Sequence, residues 1–141
     1  MILLEGHHSA VRALAYRGDS RELVSGGEDG LIFLWTLPKA NGPRTLLRPT
    51  AGGTDQQSVE AIHVGSDDSV YASEASGTLI RISRPGLVHI DRHDSSPINV
   101  RCIVEFHGGV KPTLLTSAWN NLLQHRDPAR LDVIEETRTL H

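Results

Sequence analysis

The sequence has few of the residues that most often signal a disulfide framework, a nucleic-acid surface or a membrane span. Cys102 is the only cysteine among the 141 residues, which excludes an intramolecular disulfide and a thiolate metal cluster. Lysine and arginine are scattered singly in a chain whose net charge is −3, so the basic patch that nucleic-acid binding needs is missing. No apolar run approaches the roughly 20 residues of a membrane helix. We therefore expect neither a nucleic-acid nor a membrane partner, and a location inside the cell, in the cytoplasm or the nucleus.

Long helical periodicity is absent as well. Apolar residues occur in runs of about four to seven, which are separated by clusters of Gly, Pro, Asp, Asn and Ser. This pattern is typical of an all-β protein. Because the chain is of ordinary domain length and 38% of its residues are hydrophobic, we expect residues 1–141 to form a single domain.

The apolar runs repeat with a period of about 45 residues. Each repeat has four runs, and the turn between the second and third run contains Gly30, Gly77 or Asn121, residue types that tolerate a positive φ. This predicts four-stranded antiparallel units that stack radially or linearly. The units are expected at about residues 7–48, 58–91 and 97–137. Their fourth strands are expected at residues 44–48, 86–91 and 131–137.

The first repeat carries polar residues at a defined spacing. Gly6-His7 opens it, Ser25-Gly26-Gly27-Glu28-Asp29-Gly30 follows, and an apolar strand ends at Trp35. In these residues the repeat resembles the WD-repeat family of β-propellers. The resemblance implies an all-β fold of about three four-stranded propeller blades, in an incomplete propeller or arc. It also implies a hydrogen-bonded structural tetrad of His7, Ser25, Asp29 and Trp35.

The other two repeats match this pattern only in outline. In the second, Ser73 is matched to the strand serine, Ile82 replaces the tryptophan, and Ser76-Gly77 replaces Asp-Gly with one residue missing. A complete tetrad is therefore not expected there. In the third, the corresponding residues are His93, Thr116, Asn120 and Arg126, of which the first three could form a partial network.

Loops at one end of the blades form the expected binding surface. The resemblance implies a non-catalytic scaffold that binds other proteins there, through the residue before each turn and residues near the start of each first strand. Trp119 is the most interesting candidate, because Trp is enriched among interface hot spots. The alternative is that its ring folds back over the blade edge. The expected partner-binding residues are Ala10, Arg12, Glu28, Glu60, Asn99 and Trp119.

Motifs for catalysis or metal binding are weak. The eight histidines show no ligand spacing such as His-x-x-x-His, and residues 26–30 lack the lysine of a phosphate-binding loop. We expect no enzyme activity and no cofactor. One alternative uses Asp91, His93 and Asp94, which place carboxylates around an imidazole and would suit a β-rich enzyme or a metal-binding protein. At the corner between a strand and a loop, such residues more often form a turn.

Three blades are too few to close a ring, since propellers have roughly four to eight. We expect a fragment or short form of a larger propeller, with further blades supplied in the same chain or by another one. Closure by assembly with other chains and a marginal, aggregation-prone product are the alternatives. Residues 131–137 are expected to form an edge strand that needs a partner.

Overall fold

The computed structural model describes residues 3–18, 21–38, 42–49, 57–83, 89–94, 100–118 and 122–138. Within these ranges the chain forms twelve strands and no helix, which confirms the all-β prediction. It follows that no helix in this part of the chain is long and apolar enough to cross a membrane. The strands are β1 (Val11–Arg17), β2 (Glu22–Gly27), β3 (Ile32–Thr36), β4 (Arg44–Leu47), β5 (Val59–Val64), β6 (Val70–Glu74), β7 (Thr78–Ser83), β8 (His89–Asp94), β9 (Val100–Phe106), β10 (Thr113–Ala118), β11 (Leu122–Arg126) and β12 (Val133–Arg138).

The strands form three separate four-stranded antiparallel sheets. Strands β1 to β4, β5 to β8 and β9 to β12 each pair in sequence order, and we call these sheets blades one, two and three. Gly30 and Gly77 have positive φ values of 74° and 94° in the turns after β2 and β6, as a tight hairpin requires. Within the described ranges the three blades do not close into a complete ring.

The fourth strand of blade two extends three residues beyond its expected end at Asp91. The sequence predicted residues 86–91, whereas β8 is His89–Asp94 and pairs along the whole of β7, from Ser83 opposite His89 to Thr78 opposite Asp94. Full pairing satisfies the backbone groups of β7 and fixes the end of β8. The predicted strand-to-loop corner at residues 91–94 is therefore wrong, because these residues belong to the strand itself.

The start of the last strand also differs from the prediction. The sequence predicted a strand from residue 131, and β12 begins at Val133. Leu131 lies in the preceding turn with a positive φ of 65°, and its side chain is buried. Its apolar character reflects burial in the core and not strand structure.

Each blade has two faces with different neighbours. In blade one, directly paired residues place Leu14, Ser25 and Phe33 on one face, which we call the leading face, while Val24 and Leu34 lie on the opposite, trailing face. The trailing face of blade one packs against the leading face of blade two. That core contains Val24, Ile32, Leu34, Leu46 and Leu47 of blade one and Val59, Val70, Ala72, Ile80 and Ile82 of blade two.

Blades two and three meet in the same way. The trailing face of blade two contributes Ala61, Tyr71 and Leu79 to a second core, and blade three contributes Val100, Ile103, Leu114 and Leu131. Polar contacts accompany this junction. Ser73 Oγ donates to the carbonyl oxygen of Val100 at 2.8 Å, and the Ser66 amide and hydroxyl donate to the Glu105 carboxylate at 2.7 and 2.8 Å. Every junction in the described chain therefore joins a trailing face to a leading face.

A histidine lies at the junction between blades two and three. His63 is on the strand that carries Ala61, opposite Tyr71, and its Nε2 atom is buried without a hydrogen-bond partner within the described ranges. Burial lowers the pKa of His63, the Glu105 carboxylate opposes this shift, and the neighbouring His107 adds to it. The neutral ring is therefore the form that the folded junction favours.

We expect acid to weaken this junction through His63. Because its folded-state pKa is lowered, its contribution to stability is complete above the ordinary value of 6.5 and declines as the pH falls through that value toward the folded-state pKa. His63→Gln removes the titrating group, so the free energy of unfolding of the wild type should fall relative to the variant as the pH is lowered. Urea denaturation of both proteins over a pH series measures this.

The same pair of proteins supplies the control. At about pH 8 the ring is neutral in both the folded and the unfolded chain, so the difference between the two proteins there gives the cost of the substitution alone. A difference that stays constant from about pH 8 down to about pH 5 would contradict the assignment.

Candidate functional site

Four side chains of blade one form a continuous hydrogen-bonded chain. Trp35 Nε1 donates to Ser25 Oγ at 2.8 Å, and Ser25 Oγ lies 2.7 Å from His7 Nε2. On its other side the ring places Nδ1 3.0 Å from both carboxylate oxygens of Asp29. All four groups are satisfied when the serine hydroxyl donates to Nε2 and the Nδ1 hydrogen points at Asp29. The structure thus brings together His7, Ser25, Asp29 and Trp35.

Asp29 connects this chain to the backbone of two loops. Its carboxylate accepts hydrogen bonds from the His8 amide at 3.0 Å and the Leu31 amide at 3.1 Å. Burial by itself would raise the pKa of Asp29, but these amides and the His7 ring outweigh burial, and the net pKa is lowered. The ionised carboxylate holds the opening loop against the turn after β2, and this fixes the shape of that end of the blade.

Two glycines make room for the network. A Cβ atom at Gly27 would lie 2.7 Å from both Asp29 Oδ1 and His7 Nδ1, closer than any side chain allows. A Cβ atom at Gly6 would lie 3.0 Å from the Trp35 ring. The opening loop can therefore approach the sheet closely only because both positions lack a side chain.

Blade two carries a different residue at the serine position from the one expected. Ser25 pairs with Phe33 in blade one, and the equivalent pair in blade two is Ala72 with Ile80. Ser73 is one residue further along and faces blade three, where it makes the junction hydrogen bond to Val100. The match of Ser73 to Ser25 is wrong, because a shift of one residue moves a side chain to the other face of a strand.

The turn of blade two also has its full length. Gly30 donates its amide hydrogen to the Gly27 carbonyl at 3.1 Å, and Gly77 donates to the Glu74 carbonyl at 3.0 Å. The two turns are therefore equivalent residue for residue. The expected missing residue was a result of aligning Ser73 with Ser25.

Glu74 occupies the position of Gly27 in blade two. Its side chain is buried, and this burial raises the pKa of the carboxyl, opposed by Arg92, whose Nη1 lies 3.7 Å from Oε1, and by the Ser76 side chain. Glu74 therefore has a Cβ atom at the position where, in blade one, a Cβ atom would collide with the His7 ring and the Asp29 carboxylate. Blade two consequently fills this space with a single acid and its partners.

Blade three places a guanidinium where blade one has an indole. Arg126 is 1% exposed and donates to Thr116 Oγ1 at 3.2 Å, to Gln124 Oε1 at 2.6 Å and to the Leu131 carbonyl at 2.8 Å. Burial lowers the pKa of Arg126, and the acidic groups Asp132 and Glu136 oppose this. Thr116 takes the Ser25 position in the register. Asn120 lies outside the described residues, and His93 lies in β8 of blade two opposite Leu79.

The expected partner-binding residues of blades one and two lie at one end of the sheets. The Ala10 carbonyl accepts the Glu28 amide hydrogen at 2.9 Å, and the Arg12 and Glu28 side chains form an exposed ion pair. Glu60 Oε2 lies 2.7 Å from Arg101 Nη1 of blade three. Asn99 and Trp119 lie outside the described residues. We call the set Ala10, Arg12, Glu28, Glu60 and Arg101 the loop surface.

Arg101 was missed by the sequence reasoning. Val11, Val59 and Val100 occupy equivalent positions at the start of the first strands, opposite Gly27, Glu74 and Ala118. The residue after each valine is Arg12, Glu60 or Arg101, so the repeat register already contained the signal.

The acidic cluster of the alternative hypothesis is spread over one strand. Asp91 is directly opposite Arg81 in the sheet, with Arg81 Nη1 3.8 Å from its carboxylate. In an extended strand Asp91 and His93 share one side. Within the ranges that the structure describes, no three His, Cys, Asp or Glu side chains are grouped so that they could hold a metal ion.

Ser25→Ala should destabilise the protein, because it leaves the buried Trp35 N–H without an acceptor and His7 Nε2 without its donor. We expect a loss of about 1–3 kcal/mol in the free energy of unfolding, measured by chemical denaturation. Ser9→Ala, at an exposed serine of the same opening loop, is the matched control and should cost less than about 0.5 kcal/mol. Equal losses in the two variants would contradict a supporting role for the network.

Comparisons with known proteins agree with this geometry. A family model described as "WD domain, G-beta repeat" matches residues 1–36, the segment that holds the tetrad. The crystal structure of the RRP9 WD40 repeats and the structure of U3-55K are each 16% identical, with a TM-score of 0.78 over 96% of this chain and 41% of theirs. The computationally designed Ika4 protein is 23% identical, with a TM-score of 0.68 over 96% of this chain and 77% of that one.

The chain thus spans about two fifths of the length of the RRP9 and U3-55K structures that it matches. At these identities the structural likeness concerns the fold, and the match to the family model adds the sequence evidence for the first repeat. Residues 1–36 thus match the model of a WD repeat, and the chain as a whole has the blade fold of the WD40 propellers to which it is similar.

Proposed function

We propose that this chain is a non-catalytic scaffold that binds other proteins through its loop surface. The WD repeat and the propeller fold support a role in protein interaction in general. The observation that carries the more specific proposal is the row of charged side chains, Arg12 with Glu28 and Glu60 with Arg101, at one end of consecutive blades. No cofactor is part of the proposal, and the location proposed is inside the cell, in the cytoplasm or the nucleus.

The loop surface combines exposed charge with a rigid base. Arg12 is exposed and Glu28 is partly exposed, and ion pairs near the surface add little to the stability of a fold. Their backbones are nonetheless fixed, because the Glu28 amide is bonded to Ala10 and the neighbouring Asp29 belongs to the tetrad. A partner would therefore meet charged side chains on a backbone that is already ordered, which favours affinity and specificity. The partner chemistry that fits is a polypeptide surface with both acidic and basic groups.

Trp119 and Asn99 extend this proposal to blade three. By the repeat register Trp119 corresponds to Glu28, and Asn99 corresponds to Ala10. A tryptophan beside the charged row would supply the aromatic anchor that interfaces of this kind use. Both residues remain predictions, as does the alternative that the Trp119 ring covers the blade edge.

The test is capture of partner proteins from a native extract by the immobilised full chain, quantified against variants. The Arg12→Ala/Glu28→Ala double variant and Trp119→Ala should each reduce the capture of the same partners by about tenfold or more, because each removes a hot-spot candidate. The matched control is Arg130→Ala, which removes an exposed arginine in the β11–β12 turn at the opposite end of the blades.

Thermal denaturation of all four proteins accompanies the capture assay, and equal midpoints assign a loss of capture to the surface and not to unfolding. Capture that is unchanged in both loop-surface variants, or reduced equally by Arg130→Ala, would overturn the proposal.

A further inference from the structure

The β1 side of the leading face of blade one is exposed in the described chain, whereas Ser25, Phe33 and Trp35 on the same face are buried. Three equivalent valines show this: Val59 and Val100, each covered by the preceding blade, are 0% and 1% exposed, whereas Val11 is 48% exposed. Leu14 follows the same rule, since it is 61% exposed and its equivalent in blade three, Ile103, is buried. The sequence at these positions is apolar in all three blades. Only the presence of a preceding blade differs.

This face contains an open groove of about 660 Å³. Its walls include the apolar side chains of Leu4, Val11, Leu14, Leu23 and Trp35. Leu23 and Trp35 are directly paired in the sheet, so the groove lies on the leading face itself. In blade two the equivalent pair, Val70 and Ile82, is completely buried against blade one. The groove is therefore the place that a trailing face occupies at the other junctions.

The trailing face of blade three is the complementary free surface. Val104 and Phe106 are exposed there, and the Phe106 ring contacts His125 edge-on at 5.4 Å between ring centroids. Ser117 occupies the register position of Ser73, whose hydroxyl donates to the backbone of the next blade. Ser117 thus has the same hydroxyl available at the end of the arc.

We propose that two copies of this chain pack head to tail, with the trailing face of blade three of each copy against the leading face of blade one of the other. The contact continues the packing between blades one and two and between blades two and three. By analogy with Ser73 and Val100, the Ser117 hydroxyl donates to the carbonyl oxygen of Val11 in the second copy. The product is a two-fold symmetric ring of six blades, within the range of roughly four to eight that propellers adopt.

A second copy is the occupant that the two end faces favour, because it covers both of them in one closed assembly. When a head-to-tail contact closes into a ring, no end face stays exposed. When the ring does not close, the same contact produces filaments. Arg101 and Arg12, at the edge of the loop surface, approach one another at the new junction, and each is already paired with a carboxylate within its own copy, Glu60 and Glu28, which offsets their repulsion. The apolar contact itself lies on the leading and trailing faces and not on the loop surface, so this inference does not depend on the proposed function.

The first experiment measures the mass of the full chain by size-exclusion chromatography with light scattering. We expect twice the chain mass of 15.4 kDa for the wild type. Val11→Asp should raise the dissociation constant of the dimer by at least about tenfold, because it places an unpaired charge in the junction. Val110→Asp is the matched control, since Val110 is fully exposed in the β9–β10 turn, and it should leave the dimer intact. Circular dichroism checks that both variants fold.

The second experiment tests the head-to-tail geometry by mixing. Leu14→Glu damages only the leading face and Val104→Lys damages only the trailing face, so each variant alone should be monomeric. In a dimer of one Leu14→Glu chain and one Val104→Lys chain, one junction joins two unchanged faces. The other junction joins the two changed faces, where the introduced charges have opposite signs. Mixing should therefore restore the dimer.

Four outcomes would overturn the inference: a wild type that stays at 15.4 kDa over the tested concentrations, an open series of larger species, a dimer that survives Val11→Asp, or no recovery on mixing. The first result is also the one expected if the end faces are covered by blades of another chain. The Arg12→Ala/Glu28→Ala variant should dimerise at least as well as the wild type, because it removes both members of an ion pair and takes away one of the two arginines that approach each other. A failure of dimerisation and a failure of partner capture are therefore distinguishable.

Discussion

Each blade of this protein presents apolar side chains on both of its faces, and such a sheet needs a packing partner on each face. Blade two meets this condition, because its leading face packs on blade one and its trailing face packs on blade three. Blades one and three each have one face covered within the described chain. Several other features of the protein follow from this packing of each trailing face on the next leading face. The junction histidine, the ion pair between blades and the exposed valine all lie where a leading face meets, or lacks, a trailing face.

A second constraint is that polar groups buried within the blades need partners, and the three blades satisfy it with different chemistry. Blade one uses an indole, a hydroxyl, an imidazole and a carboxylate in series. Blade two has alanine and isoleucine in the corresponding strand positions and instead buries Glu74 near Arg92. Blade three surrounds a guanidinium with hydroxyl, amide and backbone oxygens. The backbone of a blade therefore tolerates several polar networks, provided that each one is internally paired.

The parts of the fold that could be predicted from sequence are those set by local patterns. Gly30 and Gly77 take the expected backbone conformation, because turn chemistry is local. The errors arose where register decides. Ser73 was matched by residue type, although its pairing places it on the opposite face, and the bounds of β8 depend on its partner strand. The interactions of Arg126 could not be predicted, because its partners are two side chains and a backbone carbonyl from three different segments.

The tight space around Gly27 limits how one blade can change into another. The histidine of the tetrad fits only beside a residue without a side chain, and Glu74 holds a side chain at that position in blade two. Blade two also has Ala72, Ser76 and Ile82 where blade one has Ser25, Asp29 and Trp35. A return of blade two to the tetrad therefore needs these three positions to change together with Glu74→Gly. Intermediates that carry only some of the four groups leave buried polar atoms unpaired, so a blade that has lost its tetrad does not regain it by single favourable steps.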